Sequence, residues 1–509
     1  MRNKLLYLIL VLPFFMSSCN GWLDVEPEDE ITEEELFTTG NGFRHALNGI
    51  YYSMESQNLY GKQLTWGVAD ALGQVYAYNK SGSVNDLEFG AKQYKWDYYA
   101  LKPVITSIWQ EAYNVVANCN NLVQQIENAD PEMFDWKGQE KAMIWGEALA
   151  LRAFIQFDML RLFAPAPAAN PEERKFIPYV DTYPSYVSKP KTVDECLDLI
   201  VKDLKEAKQL LWKIDTARAF SRSDNFEVAG HTFLGRRGFH LNYWAATALL
   251  ARVYLYAQME DEALEQASEV INFASEKRAF TITNRFSYGD RKCYSDVIFG
   301  LHVIDLLKYN SAVNIMENES KAKYLCVSEI EKNYFGEDLY KTKVENEEIV
   351  KSNDYRFTYW VEDIKNQHSN YRFRKYEAMT SGSTASVIDV SDHIVPFIRM
   401  SEMYYTAAEI LCKRGAEGLT KAKTYLSYVK KNRGLKDADV SVKQITTANA
   451  DDFMGLLMND MRREWLGEGQ TYFMYKRLNK NIPAEKGGFI EAAEKVFVVP
   501  VPDIETNIK

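Results

Sequence analysis

Residues 66–99 hold the side chains best suited to recognising a ligand. Trp66, Tyr76, Tyr78, Tyr94, Trp96, Tyr98 and Tyr99 sit there among Asp70, Gln74, Asn79, Asn85 and Asp86, and Gly73, Gly82 and Gly90 interrupt any helix. Flat apolar rings beside amides and carboxylates suit a sugar, whose ring offers a patch of C–H groups and a rim of hydroxyls. A second aromatic stretch, residues 280–391, carries Tyr355, Phe357, Tyr359, Trp360, Tyr371 and Tyr376. From these clusters Trp96, Tyr98 and Trp360 are expected to stack on a ligand, and Asp70, Asn79 and Tyr359 to hydrogen-bond it. Tyr76 and Tyr78 complete the candidate ligand-binding set. The competing reading is that the rings pack small satellite cores, and for Tyr355 the interior of its lobe is the better fit.

The rival to binding is catalysis, because helical scaffolds also carry glycoside hydrolases. That chemistry needs two carboxylates roughly 5 to 10 Å apart, and a chain with 71 acids contains many accidental pairs. The sequence has no G-x-S-x-G, H-E-x-x-H, Walker loop or G-x-G-x-x-G, and its six His are scattered. No catalytic residue, cofactor or metal ligand is assigned.

The elements that must position these side chains are helices. Residues 145–163, WGEALALRAFIQFDMLRLF, place apolar residues at spacings of three and four with little polar relief, which predicts a helix buried on most sides. One hundred residues on, Ala248-Leu249, Arg252, Tyr254 and Leu255 repeat Ala148-Leu149, Arg152, Phe154 and Ile155. Ala251, Tyr254 and Ala263 then occupy the small, aromatic and small positions of a tetratricopeptide (TPR) helix pair, where small residues let helices approach and the aromatic fills the gap. Further helices are predicted over 104–128, 139–164, 192–211, 398–435 and 451–466. The expected fold is mainly α, a TPR-like helical-repeat scaffold over about 37–60, 104–279 and 392–509, with an irregular aromatic-rich ligand lobe built from insertions at about 61–103 and 280–391.

The N-terminus reads as an export signal. Arg2 and Lys4 precede an apolar run from Leu5 to Met16, too short for the roughly 20 residues that span a bilayer, and Ser17-Ser18-Cys19 ends it. Small residues before a cysteine predict lipoprotein cleavage with acylation of Cys19, although Met16 stands where Leu is usual; residues 1–18 would be the signal peptide. Eight acids between Asp24 and Glu35 make 19–36 a solvated acidic tether. The net charge of −11 argues against nucleic acid as a partner. The other cysteines, Cys119, Cys196, Cys293, Cys326 and Cys412, have no C-x-x-C spacing and read as small buried residues.

In several motifs taken in order, the chain resembles the SusD/RagB family of outer-membrane nutrient-binding lipoproteins. Cys19, Leu23-Asp24, Pro27, Phe37 and Ala46-Leu47-Asn48-Gly49-Ile50-Tyr51 look like its lipidated start. LRAFIQFDMLRLFAPAP, PKTVDECLDLIVKDLKEA, IRMSEMYYTAAE, RREWLGEGQTYFMYKR and FVVPVPDIETN look like its later landmarks. Met474 and Ala164-Pro165-Ala166 depart from the usual acid and Gly-containing turn, which concerns packing rather than the assignment. The resemblance implies a TPR-based scaffold, held on the outer membrane by its lipid anchor, that binds a nutrient, typically a glycan, and caps a SusC-like TonB-dependent transporter. Peptide cargo and a purely structural cap are the alternatives, ahead of a glycoside hydrolase. Within the motifs Arg152, Arg161, Glu464 and Glu468 are expected to form buried pairs between helices, so the motifs supply scaffold and no ligand residue.

Overall fold

The computed structural model describes residues 32–77, 86–171, 173–216, 233, 237–277, 280–282, 290–313, 326–327, 334–344, 347–363, 371–378, 392–484 and 487–506. The signal segment, Cys19 and most of the acidic tether lie outside the described residues, as do Tyr78 and Asn79.

The body is an array of helices: α1 (Gly40–Met54), α2 (Leu101–Glu127), α3 (Lys137–Phe163), α4 (Val193–Asp215), α5 (Tyr243–Tyr256), α6 (Glu260–Lys277), α7 (Met400–Leu411), α8 (Gly415–Asn432), α9 (Ala450–Glu464) and α10 (Gln470–Arg477). From α1 to α8 each helix packs against the next in chain order, and α9 returns against α7 and α8. This is the mainly helical, TPR-like fold expected from the sequence. Its cause is visible in the patterning: every residue of α3 from Gly146 to Phe163 is buried, as is all of α5, so both need neighbours on every side. In contrast, α4 buries Leu197, Ile200, Leu204, Ala207 and Leu211 along one stripe and begins with a capping box between Thr192 and Glu195. Ala251 and Tyr254 of α5 and Ala263 of α6 are buried where that helix pair meets.

The two repeated arginines do the same work twice. Arg152 of α3 donates to both oxygens of Asp203 on α4 at 2.6 and 2.7 Å, and Arg252 of α5 to both oxygens of Glu402 on α7 at 2.7 Å. Arg161 differs from the expected inter-helix pair. Its acid is Asp158, one turn back on its own helix, while it reaches across to Gln470 at 3.0 Å and lies 4.0 Å over the Phe473 ring. Cys119, Cys196, Cys293 and Cys412 are buried free thiols.

Between α6 and α7 the chain builds a small mixed lobe. Strand β1 (Val297–His302) pairs antiparallel with β2 (Ile394–Arg399) at its base. Within the lobe Leu339–Val344 and Glu347–Ser352 form a hairpin, and Tyr371–Phe373 lies between Cys326–Val327 and Val361–Asp363. An isolated bridge from Tyr76 to Val327 ties the first insertion to this lobe.

Lobe and array are locked by a fully buried ionic cluster centred on Glu464 at the end of α9. Its carboxylate accepts from Arg356 of the lobe at 3.0 Å, from Arg399 at the end of β2, and from Nε of Arg433 beyond α8 at 3.1 Å. Arg356 also binds Asp354 and Asp460 at 2.8 Å each, Arg433 binds Asp296, and Arg399 binds Glu468 at 2.8 Å. The three guanidinium groups hold the Glu464 carboxyl well below the usual carboxylate range despite burial. Glu464→Gln, which keeps the shape and removes the charge, should lower the unfolding free energy by about 3 to 5 kcal/mol because it leaves buried cations under-compensated. Urea denaturation followed by circular dichroism reads this. The exposed pair Lys137–Glu132 (3.0 Å) supplies the control, and Glu132→Gln should leave the midpoint where it was.

Candidate functional site

Part of the aromatic set named from the sequence is interior. Asp70 lies on the short helix Val68–Leu72, fully buried, and its two carboxylate oxygens accept hydrogen bonds from the backbone N–H groups of Gly467 (2.8 Å) and Gly469 (2.9 Å). Both glycines have positive φ, +82° and +71°, and a Cβ on Gly469 would stand 2.7 Å from the Leu64 carbonyl oxygen, so the turn that presents these donors requires glycine. Tyr76 is buried and its hydroxyl donates to the Trp66 carbonyl, while the Trp66 indole donates to Gly61 at 3.0 Å. Trp360 is completely enclosed, its indole N–H donating to the Arg291 carbonyl and the Lys375 ammonium sitting 3.9 Å over its ring. Asp70, Tyr76 and Trp360 are therefore corrected from ligand contacts to core. Each has its polar atoms consumed by protein partners and no face left for a sugar.

Burial pushes the Asp70 carboxyl up to about 8, against the pull of the two glycine N–H groups. A carboxyl whose pKa rises on folding takes up a proton between its ordinary value and the raised one. Its contribution to stability is full at acid pH and is lost as pH climbs through about 8. The stability advantage of the wild type over Asp70→Asn, which cannot titrate, should shrink steadily from pH 4 to pH 9 in urea titrations. A pH-independent difference would show that the buried carboxyl ionises normally.

The other part of the set reaches the surface. After Lys92 the chain turns through Tyr94 (φ +53°), whose hydroxyl donates to Leu72 at 2.7 Å and accepts from Gln74 at 3.2 Å. Trp96 is half-buried; its indole donates to the Lys495 carbonyl at 3.1 Å and its ring meets Tyr94 edge-on at 6.0 Å. Tyr98 is half-buried against Phe89 at 6.0 Å, over Gly90, where a Cβ would come within 2.6 Å of its ring. Tyr99 packs 4.8 Å from Tyr98 and is 68% exposed. A hollow of about 170 Å³ opens beside Trp96, lined by Asp97, Lys102, Ile105 and Thr106 and, from the far end of the chain, by residues 500–503. The Lys102 ammonium pairs with Asp503 at 2.8 Å across its rim, which raises the lysine's pKa. The result is an aromatic ridge backed by hydrogen bonds and flanked by a mainly apolar hollow with Asp97, Lys102, Thr106 and Asp503 on its walls, a geometry that can stack on one ring and bind its hydroxyls.

Tyr359 is also half-buried at the lobe, edge-on to Tyr355 at 6.2 Å. Sequence reasoning missed Asp97, Lys102, Thr106 and the 500–503 segment. The last of these is brought to Trp96 only by tertiary structure, because Pro500 and Pro502 carry no local sign of a binding role.

Comparison with known proteins places the chain. Residues 21–224 match the family model SusD-like_3, described as starch-binding associating with outer membrane, and residues 290–496 match the SusD_RagB model of the SusD family. The chain belongs to the SusD/RagB family. A SusD-like protein of Formosa agariphila is 22% identical over 498 residues, covering 94% of this chain and 91% of that protein. Among solved structures, a SusD superfamily protein of Bacteroides thetaiotaomicron superposes with a TM-score of 0.67 at 22% identity, covering 92% of this chain and 98% of that one. A putative sugar binding protein of Bacteroides vulgatus does so with a TM-score of 0.67 at 20% identity, covering 92% and 96%. These structural likenesses carry the fold. The motifs quoted above now have their physical reading in this SusD-family chain: they build the Arg152–Asp203 pair, the Glu464 cluster and the Gly467–Gly469 turn. No helix among the described residues is long and apolar enough to cross a membrane.

Proposed function

We propose that this protein is a non-catalytic outer-membrane lipoprotein, anchored through Cys19, that binds a nutrient glycan at the cell surface and delivers it to a SusC-like TonB-dependent transporter. The observation that carries the reading is the Trp96–Tyr98–Tyr99 ridge beside its hollow, in a chain whose matching family model is described as starch-binding. The sugar-binding name of the Bacteroides vulgatus neighbour supports the same cargo class. In this reading Trp96 and Tyr99 stack on pyranose rings, Tyr98 sets the orientation of Tyr99, and Asp97, Lys102 and Thr106 take hydroxyls. Tyr78 and Asn79, outside the described residues, are kept as ligand contacts, and Tyr359 is assigned to a second contact on the lobe. The acidic tether from Cys19 to Leu36 gives the body reach from the membrane.

Native affinity electrophoresis of the detergent-solubilised mature protein, through gels containing plant, microbial and host-mucin polysaccharides, tests this. Retardation in one gel without new reducing ends is the expected result. The double variant Trp96→Ala/Tyr99→Ala should weaken retention about fivefold or more, given about 0.5 to 1.5 kcal/mol per stacked ring. Unchanged retention in that variant would remove the site assignment, and released reducing ends would establish a hydrolase instead.

A further inference from the structure

A second cleft, on the helical array itself, has the makings of a binding site. It opens between α4, α5 and α6 with a volume of about 430 Å³, inside the range of roughly 300 to 1,000 Å³ typical of small-ligand sites. Trp212 stands at its mouth, 51% exposed, its ring packed edge-on against Tyr243 at 5.1 Å. On the amphipathic α4, Trp212 falls off the buried stripe, which passes from Leu211 to Ile214, so helix packing does not account for a ring of this size there.

The polar groups of the cleft divide into two kinds. Lys208 is occupied: its ammonium donates to Gln266 at 2.7 Å and to Glu269 at 2.6 Å, and lies 5.1 Å over the Tyr243 ring. Lys205, Gln209 and the Trp212 indole N–H have no hydrogen-bond or ion-pair partner among the described residues; Lys205 only approaches the Tyr254 ring at 6.0 Å. Positions 205, 209 and 212 follow one another at i, i+4 and i+7, which places all three on one helix face, toward the cleft. Gln266, whose carbonyl is taken by Lys208, has its amide N–H₂ left to offer.

Among these groups the Lys205 ammonium, the Trp212 indole N–H and the Gln266 N–H₂ are donors, one of them a cation, while the Gln209 amide offers a donor and an acceptor, all beside an exposed indole ring. A neutral sugar presents hydroxyls that both donate and accept. A ring bearing a carboxylate adds the negative charge and the extra acceptors that answer a set dominated by donors. We propose that the α4–α5–α6 cleft is a second saccharide site, selective for an acidic sugar such as a uronate. Trp212 stacks on the pyranose ring, Lys205 pairs with its carboxylate, and Gln209 and Gln266 bind acceptor oxygens. The proposal shares with the function above only that the cargo is a saccharide. It differs in charge preference, because the Trp96 hollow holds Asp97 beside a Lys102–Asp503 pair that neutralises itself.

Titration calorimetry on the detergent-solubilised mature protein, with tri-galacturonate and a chondroitin disaccharide as acidic probes and maltotriose as the neutral control, tests it. At least one acidic probe should bind, and its affinity should fall as salt rises, since a partly exposed ion pair is screened. Trp212→Ala should weaken that binding about tenfold, and Lys205→Gln up to about fivefold. Both positions are exposed, so neither change puts folding at risk, while Trp96→Ala should leave acidic-sugar affinity intact. Absence of binding by both acidic probes overturns the proposal, as does binding that ignores Trp212→Ala. Because polysaccharide retention through Trp96 is read separately, either site can fail without the other.

Discussion

Glu464 is the point on which the tertiary structure turns. A carboxylate with no exposure, contacted by Arg356, Arg399 and Arg433, draws together three chain segments that are remote in sequence: the lobe helix at 355–360, the strand β2 that closes the lobe, and the turn after α8. Burying so many charges is expensive, and an apolar cluster of the same volume would be as stable or more so. What the charges add is uniqueness of arrangement. Each guanidinium has a fixed fork of donors, and the acids around it, Asp296, Asp354 and Asp460 included, can satisfy those forks in few ways. A lobe docked out of register would strand charges in the interior, so the cluster selects one docking geometry.

A second constraint runs from the same motif. Immediately after Glu464 the chain passes through Gly467 and Gly469, whose N–H groups hold the Asp70 carboxylate, and through Glu468, which holds Lys375 and Arg399. Lys375 in turn covers Trp360, and Phe373 and Tyr376 pack against Tyr76 and Trp66. The first insertion, the lobe and the C-terminal helices therefore share one interior, and the surface ridge at Trp96 is carried on a base that cannot shift without disturbing it. For a binding face this is the useful condition: rings held in place before the ligand arrives lose little freedom on binding.

The helical array was legible because its signal is periodic and local. The spacing of Ala148, Leu149, Ala153, Phe154, Phe157 and Leu160 is itself the reason α3 must be surrounded, and the recurrence of Arg152 as Arg252 reports a repeated inter-helix pair. The ligand face was legible only in part. Asp70, Tyr76 and Trp360 share composition and neighbourhood with Trp96 and Tyr98, yet their fates are decided by partners far away in sequence, such as Gly467 and Gly469 for Asp70 and Arg291 for Trp360. An aromatic-rich stretch between helices predicts that some rings are exposed, and does not say which. Trp212 was overlooked for the opposite reason: it lies inside a helix that reads well as scaffold, where one off-stripe residue carries little weight.

The indole N–H groups show what decides the matter physically. Trp66 and Trp360 each give theirs to a backbone carbonyl inside the core, which lets a large ring be wholly buried without an unsatisfied donor. Trp96 also gives its N–H to a carbonyl, that of Lys495, but at the protein's edge, so the bond pins the ring while leaving it half-exposed. Trp212 has no such partner among the described residues, and its ring stays in solvent beside an aromatic wall and an unpaired lysine. An indole that is pinned at its edge presents a stacking surface, and one that is not pinned presents a stacking surface and a donor together. The two clefts differ in that respect as well as in charge, which is why they suit different sugars rather than two copies of one.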